Sequence, residues 1–132
     1  MEASMGKKKI LLVEDSNCRE LLALLLKRSG YEVAEAMTGL AAIDQANATH
    51  PDLIIMDLGL PGITGDEATA RLKADPSTRD IPVIVYTAFQ GGALVERAIV
   101  SGAAEILHKP IPFMDILDVV RRYLYPAMNL AA

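Results

Sequence analysis

Three short runs of aliphatic residues, each continuous rather than alternating, constrain this chain more than any other feature. They cover residues 10–13, 53–56 and 83–86. A continuous apolar run of this length is typical of a strand whose sheet is covered on both faces. A weaker run at 105–108 predicts a further strand. Residues 31–36 alternate instead, which predicts an edge strand with one exposed face.

Amphipathic helical patterns lie between these runs. Cys18, Leu21, Leu22 and Leu25 follow i, i+3, i+4, i+7 spacing, and Gly30 marks a C-terminal stop. A second helix is predicted after Thr38 as N-cap and carries Leu40, Ile43 and Ala46, and a third runs from a Thr64–Glu67 capping box to about Lys73. A fourth spans 93–101, after Gly91-Gly92. The last helix follows Pro112 and carries Ile116, Leu117, Val120 and Leu124.

The resulting order is a strand followed by a helix, five times over. Such alternation predicts an α/β fold, a doubly wound parallel sheet of five strands with helices on both faces and right-handed crossovers. At 132 residues and 52% hydrophobic, the chain fits one domain, 1–132, with a core at about 8–125 and short tails at 1–7 and 126–132.

Charge and cysteine content exclude several functional classes. The net charge of −4 argues against direct nucleic-acid binding, which normally needs a basic patch. Cys18 is the only cysteine, which excludes an intrachain disulfide and a cysteine metal cluster, and a buried or half-buried helical position is expected for it. No apolar stretch approaches a membrane span or a signal peptide, so a cytoplasmic protein without a membrane partner is expected.

Polar residues follow four of the predicted strands. Glu14 and Asp15 end the first strand, Asp57 the third, Thr87 the fourth and Lys109 the fifth. Ligands of open α/β sheets bind outside the carboxyl ends of the strands, so these side chains are expected to converge on one rim.

This set of side chains suits phosphoryl transfer. Three neighbouring carboxylates repel one another unless a hard cation such as Mg²⁺ binds among them. Lys109 supplies a positive charge for an anion, and Thr87 supplies a hydrogen-bond donor. Asp57, at the end of the central strand, is the best candidate for a carboxylate nucleophile that forms an acyl phosphate.

Each residue also has a simpler interpretation. The sole role of Asp15 could be to cap the first helix together with its neighbours, and Asp57 could be a turn residue. The Thr87 hydroxyl could form a local hydrogen bond at the strand end, and Lys109 could be a solvated lysine. Their joint occurrence at four strand ends in chain order favours the site.

The chain resembles the receiver domain of two-component response regulators, of the stand-alone, chemotaxis-regulator-like type, from about Lys8 to Leu124. The matching stretches are 10–15 (ILLVED), 55–62 (IMDLGLPG), 85–88 (VYTA) and 108–110 (HKP). The resemblance implies a flavodoxin-like sheet with strand order 2-1-3-4-5.

The resemblance also implies a role for each site residue. The implied phosphoacceptor is Asp57. The implied ligands of Mg²⁺ are Asp57, Asp15, the carbonyl of Gly59 and, through water, Glu14; Mn²⁺ or Ca²⁺ could substitute for Mg²⁺. The implied phosphoryl-binding residues are Thr87 and Lys109. The Lys109-Pro110 bond is expected to be cis.

The implied partners are a sensor histidine kinase or histidine phosphotransfer protein as donor and an unidentified downstream protein. The domain is expected to be a monomer or a phosphorylation-dependent dimer. It is expected to catalyse its own phosphorylation and slow dephosphorylation rather than act as an enzyme. Open alternatives are a pseudo-receiver that binds proteins without phosphorylation, a receiver module from a hybrid kinase, and a flavin-binding protein or aspartate phosphohydrolase.

Several positions have more specific interpretations. Ile106 stands where the family often has an aromatic ring that moves with the threonine, which leaves Thr87, the loop at 89–92 and the next helix as the coupling route. Phe89 is predicted to shield the acyl phosphate beside Gly59, so that Phe89→Ala speeds dephosphorylation.

Leu24 or Leu26 is predicted to contact the kinase, with a broad core stripe as the alternative. His50 and His108 are interpreted as loop and strand-end residues rather than ligands.

Overall fold

The computed structural model describes residues 6–126 and contains the predicted alternation of strands and helices. The strands are β1 (Lys9–Val13), β2 (Glu32–Ala36), β3 (Leu53–Met56), β4 (Val83–Thr87) and β5 (Glu105–His108). The helices are α1 (Cys18–Arg28), α2 (Gly39–Thr49), α3 (Gly65–Ala74), α4 (Ala93–Ser101) and α5 (Phe113–Leu124). Most of the predicted tails, at 1–7 and 126–132, lies outside the described residues.

The five strands form one parallel sheet in the order β2-β1-β3-β4-β5, which confirms the predicted fold class and strand order. Val13 of β1 is in register with Met56 of β3, and Met56 with Val85 of β4. The carboxyl ends of these strands therefore lie along one edge. β2 is at the side of the sheet, as its alternating sequence predicts.

Helices cover both faces of the sheet because successive residues of a strand point to opposite sides. On one face, Ile10 packs with Leu26 of α1 and Val120 of α5. On the other face, Leu11 packs with Ala46 of α2. Burial of an aliphatic side chain of this size contributes about 1.5–3 kcal/mol, so both layers are well supported.

The buried face of α1 differs from the prediction. The helix buries Leu22, Ala23 and Leu26, half-buries Leu25, and exposes Cys18, Leu21 and Leu24. Because leucine occupies five of the six positions from 21 to 26, the sequence allows more than one apolar stripe, and packing at the sheet selects among them. The expected burial of Cys18 and Leu21 was therefore wrong. Leu26 is fully buried and cannot contact a kinase, whereas Leu24 remains a candidate.

The starts of α2 and α3 differ in how well they match their sequence signals. Thr38 caps α2 as predicted, since its hydroxyl accepts a hydrogen bond from the Ala41 N–H. Thr64 occupies the N-cap position of α3, but its side chain makes no capping hydrogen bond. The predicted capping box therefore does not form, and the Glu67 carboxylate pairs with Arg71, one turn later.

Of the predicted apolar stripe of α2, Ala46 is buried and Ile43 is partly buried, as expected, but Leu40 is exposed, and Ala42 packs against the sheet as well. None of the helices within residues 6–126 combines the length and the apolar character needed to cross a membrane.

Candidate functional site

Backbone hydrogen bonds continue the sheet just beyond its strands and bring three predicted site residues to one edge. The Glu14 N–H donates to the Ala36 carbonyl, and the Asp57 N–H donates to the Val13 carbonyl. The Lys109 N–H donates to the Thr87 carbonyl on the other side of the crevice. The switch in strand order between β1 and β3 opens this edge, as expected for a ligand site in an open α/β sheet.

The Lys109 amine joins two carboxylates. Its Nζ lies 2.8 Å from Glu14 Oε2 and 3.1 Å from Asp57 Oδ2. Burial acts to lower the pKa of Lys109, but the hydrogen bond to Glu14 and the charge of Asp57 outweigh it, so the pKa is raised. The amine is therefore positively charged at neutral pH. It also lies 5.3 Å from the centre of the Tyr86 ring.

The Asp57 carboxylate is held on both oxygens. Oδ1 accepts hydrogen bonds from the backbone N–H groups of Leu58, at 2.7 Å, and Gly59, at 3.4 Å. Oδ2 faces Lys109, and 13% of the side chain is exposed. Gly65 keeps the loop close, because a Cβ there would lie 2.1 Å from the Asp57 carbonyl oxygen. The carboxylate is thus oriented yet still open to solvent.

Glu14 is more deeply placed than Asp57, with 2% of the residue exposed. Its Oε2 accepts hydrogen bonds from Lys109 and from the Ser16 hydroxyl. Ser16 is not among the site residues predicted from the sequence. Its position two residues after Glu14, before a helix, was the available signal.

Asp15 is exposed, and its carboxylate makes no hydrogen bond or ion pair within residues 6–126. It does not cap α1 either, since Asn17 is the N-cap and no side-chain capping bond forms. In this part of the chain, no three histidine, cysteine or acidic side chains are grouped closely enough to hold a metal ion. The direct metal role of Asp15 and the water-mediated role of Glu14 therefore remain predictions.

Thr87 ends β4 as a fully buried residue, and its hydroxyl accepts a hydrogen bond from the Phe89 N–H at 3.3 Å. This bond matches the local interpretation of Thr87, so its phosphoryl-binding role remains a prediction. The peptide bond between Lys109 and Pro110 is cis, as the resemblance implied.

Two neighbours of Thr87 complete the description of the site. Ile106 packs against the apolar cluster that contains Val85 of β4 and Ala98 of α4. His108, interpreted as a strand-end residue, forms a 2.8 Å hydrogen bond between its Nδ1 and the Phe89 carbonyl. Nothing in the sequence alone specified that contact.

Comparison with known proteins agrees with this geometry. The family model described as the response regulator receiver domain matches residues 10–121. The polar-differentiation response regulator DivK of Brucella ovis is 39% identical over 118 residues, covering 89% of this chain and 96% of that protein. The DivK protein of Brucella anthropi is 38% identical over the same shares.

Solved structures give the same result. A putative response regulator from Chloroflexus aurantiacus superposes with a TM-score of 0.82 at 32% identity, covering 89% of this chain and 98% of that one. The receiver domain of a sensor histidine kinase from Pseudomonas aeruginosa has a TM-score of 0.81 at 29% identity, with the same coverage, and its structure contains a magnesium ion in the active-site cleft. Because the family model spans most of the chain and the sheet has the expected strand order, this chain belongs to the response regulator receiver domains of two-component signalling.

Proposed function

We propose that Asp57 accepts a phosphoryl group from a phosphohistidine on a sensor histidine kinase or histidine phosphotransfer protein, and that the phosphorylated form regulates a protein partner. The observation that supports this most is the Lys109 amine, which lies within 3.1 Å of both Glu14 and Asp57. A fixed cation beside an oriented, partly exposed carboxylate is suited to neutralise an incoming phosphoryl group.

In the proposed reaction, an Asp57 carboxylate oxygen forms a bond to phosphorus while the phosphorus–nitrogen bond of phosphohistidine breaks. The electron pair of the broken bond remains on the imidazole, and the product is an acyl phosphate. Lys109 and the Thr87 hydroxyl would hold the phosphoryl oxygens. The Leu58 and Gly59 N–H groups orient the carboxylate before the reaction, which lowers the entropic cost of reaching the transition state.

The oxygen atoms at this edge fit Mg²⁺ chemically. The carboxylates of Glu14, Asp15 and Asp57 and the carbonyl of Gly59 are hard donors, and Lys109 compensates only one of the three negative charges. We propose that Asp15 and Asp57 bind the cation directly and Glu14 through water, with Mn²⁺ or Ca²⁺ as substitutes. When bound, the cation would supply charge neutralisation for the phosphoryl oxygens.

The experiment is to incubate the protein with Mg²⁺ and acetyl phosphate and measure its intact mass over time, with Asp57→Asn as the control. The proposal predicts one labile phosphoryl group on the wild type and none on the variant or after chelation of Mg²⁺. Loss of the group over minutes to hours, without turnover, would support slow self-dephosphorylation. If the wild type gains no mass, the result favours a pseudo-receiver. If phosphate is released continuously, the result favours a phosphohydrolase.

A cavity beside Lys109 is the proposed docking surface for the phosphodonor. It has a volume of about 450 Å³ and is lined mainly by apolar side chains of α1 and of the segment that follows Lys109, among them Leu21, Leu25, Ile111 and Phe113. Leu21 is 60% exposed although it is large and apolar. An apolar surface next to the reacting carboxylate is suited to a helix of the donor.

Replacement of Leu21 by Glu tests this surface. The rate of phosphorylation is measured with two donors: acetyl phosphate, and the histidine kinase from the same genome that phosphorylates the wild type fastest. In Leu21→Glu, the ratio of the kinase rate to the acetyl phosphate rate is expected to fall about tenfold or more, because a charge would be buried at the interface. Leu24→Glu tests the other candidate on α1. Val100→Glu, at an exposed position of α4, is the matched control. Equal ratios in Leu21→Glu and Val100→Glu would contradict the proposed surface.

We also propose that residues 1–132 form a single receiver domain that acts in the cytoplasm, where kinase and target would meet it. A pulldown with phosphorylated and unphosphorylated protein, combined with measurement of native mass, would identify the target and distinguish a monomer from a phosphorylation-dependent dimer. A module of a hybrid kinase would instead depend on its own kinase for phosphate.

A further inference from the structure

The segment 89–92, which follows β4, is tied to the neighbouring strand through one side chain. His108 Nδ1 lies 2.8 Å from the Phe89 carbonyl oxygen. The carbonyl can only accept, so Nδ1 must carry the proton. Within residues 6–126, the other hydrogen bonds of the segment join it to Thr87 at the end of β4, to the adjacent Ala88 and to Glu96 of α4. His108 is therefore the side chain that fixes Phe89 relative to β5.

The Phe89 ring lies against Gly59, two residues after Asp57. A Cβ placed on Gly59 would be 3.2 Å from Phe89 Cε2, so the ring stands close to the side of the loop from which a side chain at position 59 would project. The N–H of Gly59 in turn donates to Asp57 Oδ1. The contacts run from His108 through Phe89 and Gly59 to Asp57, and they join β5 to the reacting group without using residue 106.

We infer that His108 is a positioning residue that holds the Phe89 ring over Gly59 and thereby prolongs the life of the acyl phosphate. The inference rests on the proposed function, because it concerns the phosphorylated form of Asp57. The side-chain hydrogen bond of His108 is to the Phe89 carbonyl and not to Asp57. It acts through Phe89, whose ring limits the approach of water from that side.

The step affected is hydrolysis. A water oxygen forms a bond to phosphorus while the bond between phosphorus and the Asp57 oxygen breaks. The electron pair returns to the Asp57 carboxylate, the water proton passes to solvent, and inorganic phosphate leaves. A ring that occupies the space beside Gly59 reduces the number of water positions from which this attack can occur.

The experiment compares four forms of the protein after phosphorylation with acetyl phosphate and removal of the donor: the wild type, His108→Ala, His108→Asn and His108→Gln. Asn places an amide N–H where Nδ1 lies, whereas Gln places it where Nε2 lies. The phosphate half-life from intact mass is expected to fall about two- to tenfold in His108→Ala and His108→Gln, the effect of losing one hydrogen bond, and to be restored in His108→Asn.

Phe89→Ala completes the test, because without the ring the substitution His108→Ala should have no further effect on the half-life. The inference is overturned if His108→Ala accumulates phosphate and loses it at the wild-type rate. It is equally overturned if His108→Asn and His108→Gln behave alike, since that result indicates a general packing role. A wild type that gains no phosphoryl group overturns the proposed function and this inference together.

Discussion

Asp57 and Asp66 lie on either side of the loop between β3 and α3, and both are largely withdrawn from water, with 13% and 8% of their side chains exposed. Their partners differ. Both oxygens of Asp57 are bound, by two N–H groups and by Lys109. Within residues 6–126, Oδ1 of Asp66 has no hydrogen-bond partner, and Oδ2 lies 3.9 Å from Arg97 Nε.

The comparison shows that depth of burial does not identify the reactive carboxylate. Asp66 is the more buried of the two, but the nearest cation belongs to Arg97, a largely exposed side chain that can leave it. Asp57 combines a fixed cation, oriented oxygens and access to solvent, which a nucleophile requires. Substitutions at Asp57, Lys109 and Asp66 test this difference between the two carboxylates.

The largest expected effect is on phosphorylation itself. Asp57→Asn should abolish uptake of the phosphoryl group from acetyl phosphate because the amide is not a nucleophile for phosphorus. Asp66→Asn should leave uptake near the wild-type level. Intact mass measures both, and a large loss in Asp66→Asn would show that the two carboxylates are functionally linked.

The next effect concerns the stability that Lys109 provides. Lys109→Met would leave the buried Glu14 without its cation and should lower the free energy of unfolding at pH 7 by about 2–3 kcal/mol, less than for a fully buried pair because the amine is partly exposed. Urea unfolding measures this. The double variant Glu14→Gln, Lys109→Met should recover most of the loss, and failure to recover would indicate that Lys109 stabilises through other contacts.

The pH dependence of that difference follows from the raised pKa of Lys109. The folded state favours the charged amine, so the stabilisation is fully present below the usual pKa of 10.5 and is lost as pH rises through the higher folded-state value. The gap in stability between the wild type and Lys109→Met should therefore narrow only above about pH 10.5.

The smallest effect is expected at Asp66. Asp66→Asn should raise the free energy of unfolding by about 0.5–1 kcal/mol. Removing a buried carboxylate charge whose Oδ1 has no partner within residues 6–126 is expected to gain about 1–3 kcal/mol. This gain outweighs the loss of the long contact with Arg97 and of the interaction with the N-terminus of α3, the latter about 0.3–1 kcal/mol. Urea unfolding at pH 7, compared with Asp118→Asn at an exposed position of α5, measures this change. A loss of stability would mean that the pair with Arg97 is stronger than its length indicates.

The sequence predicted the cap of α2 correctly, but not the cap of α3 or the buried face of α1. Thr38 was a correct cap because its hydroxyl bonds a backbone group three residues away, which is a local interaction. Thr64 and Glu67 have the same spacing signal, but Glu67 had a second local partner in Arg71. On α1, leucines at nearly every position left the buried stripe unspecified, and contact with the sheet placed Leu22, Ala23 and Leu26 inside.

The number and order of the strands and helices, the parallel sheet and the polar residues at its carboxyl edge could all be predicted from the sequence. They follow from local apolar periodicity and from the rules of parallel-sheet connection. Three features came from the folded chain alone: Lys109 lies between Glu14 and Asp57, Asp66 is buried with one oxygen lacking a partner within residues 6–126, and His108 bonds the Phe89 carbonyl. These are contacts between residues distant in the chain, whose distances depend on how side chains pack once the strands are side by side.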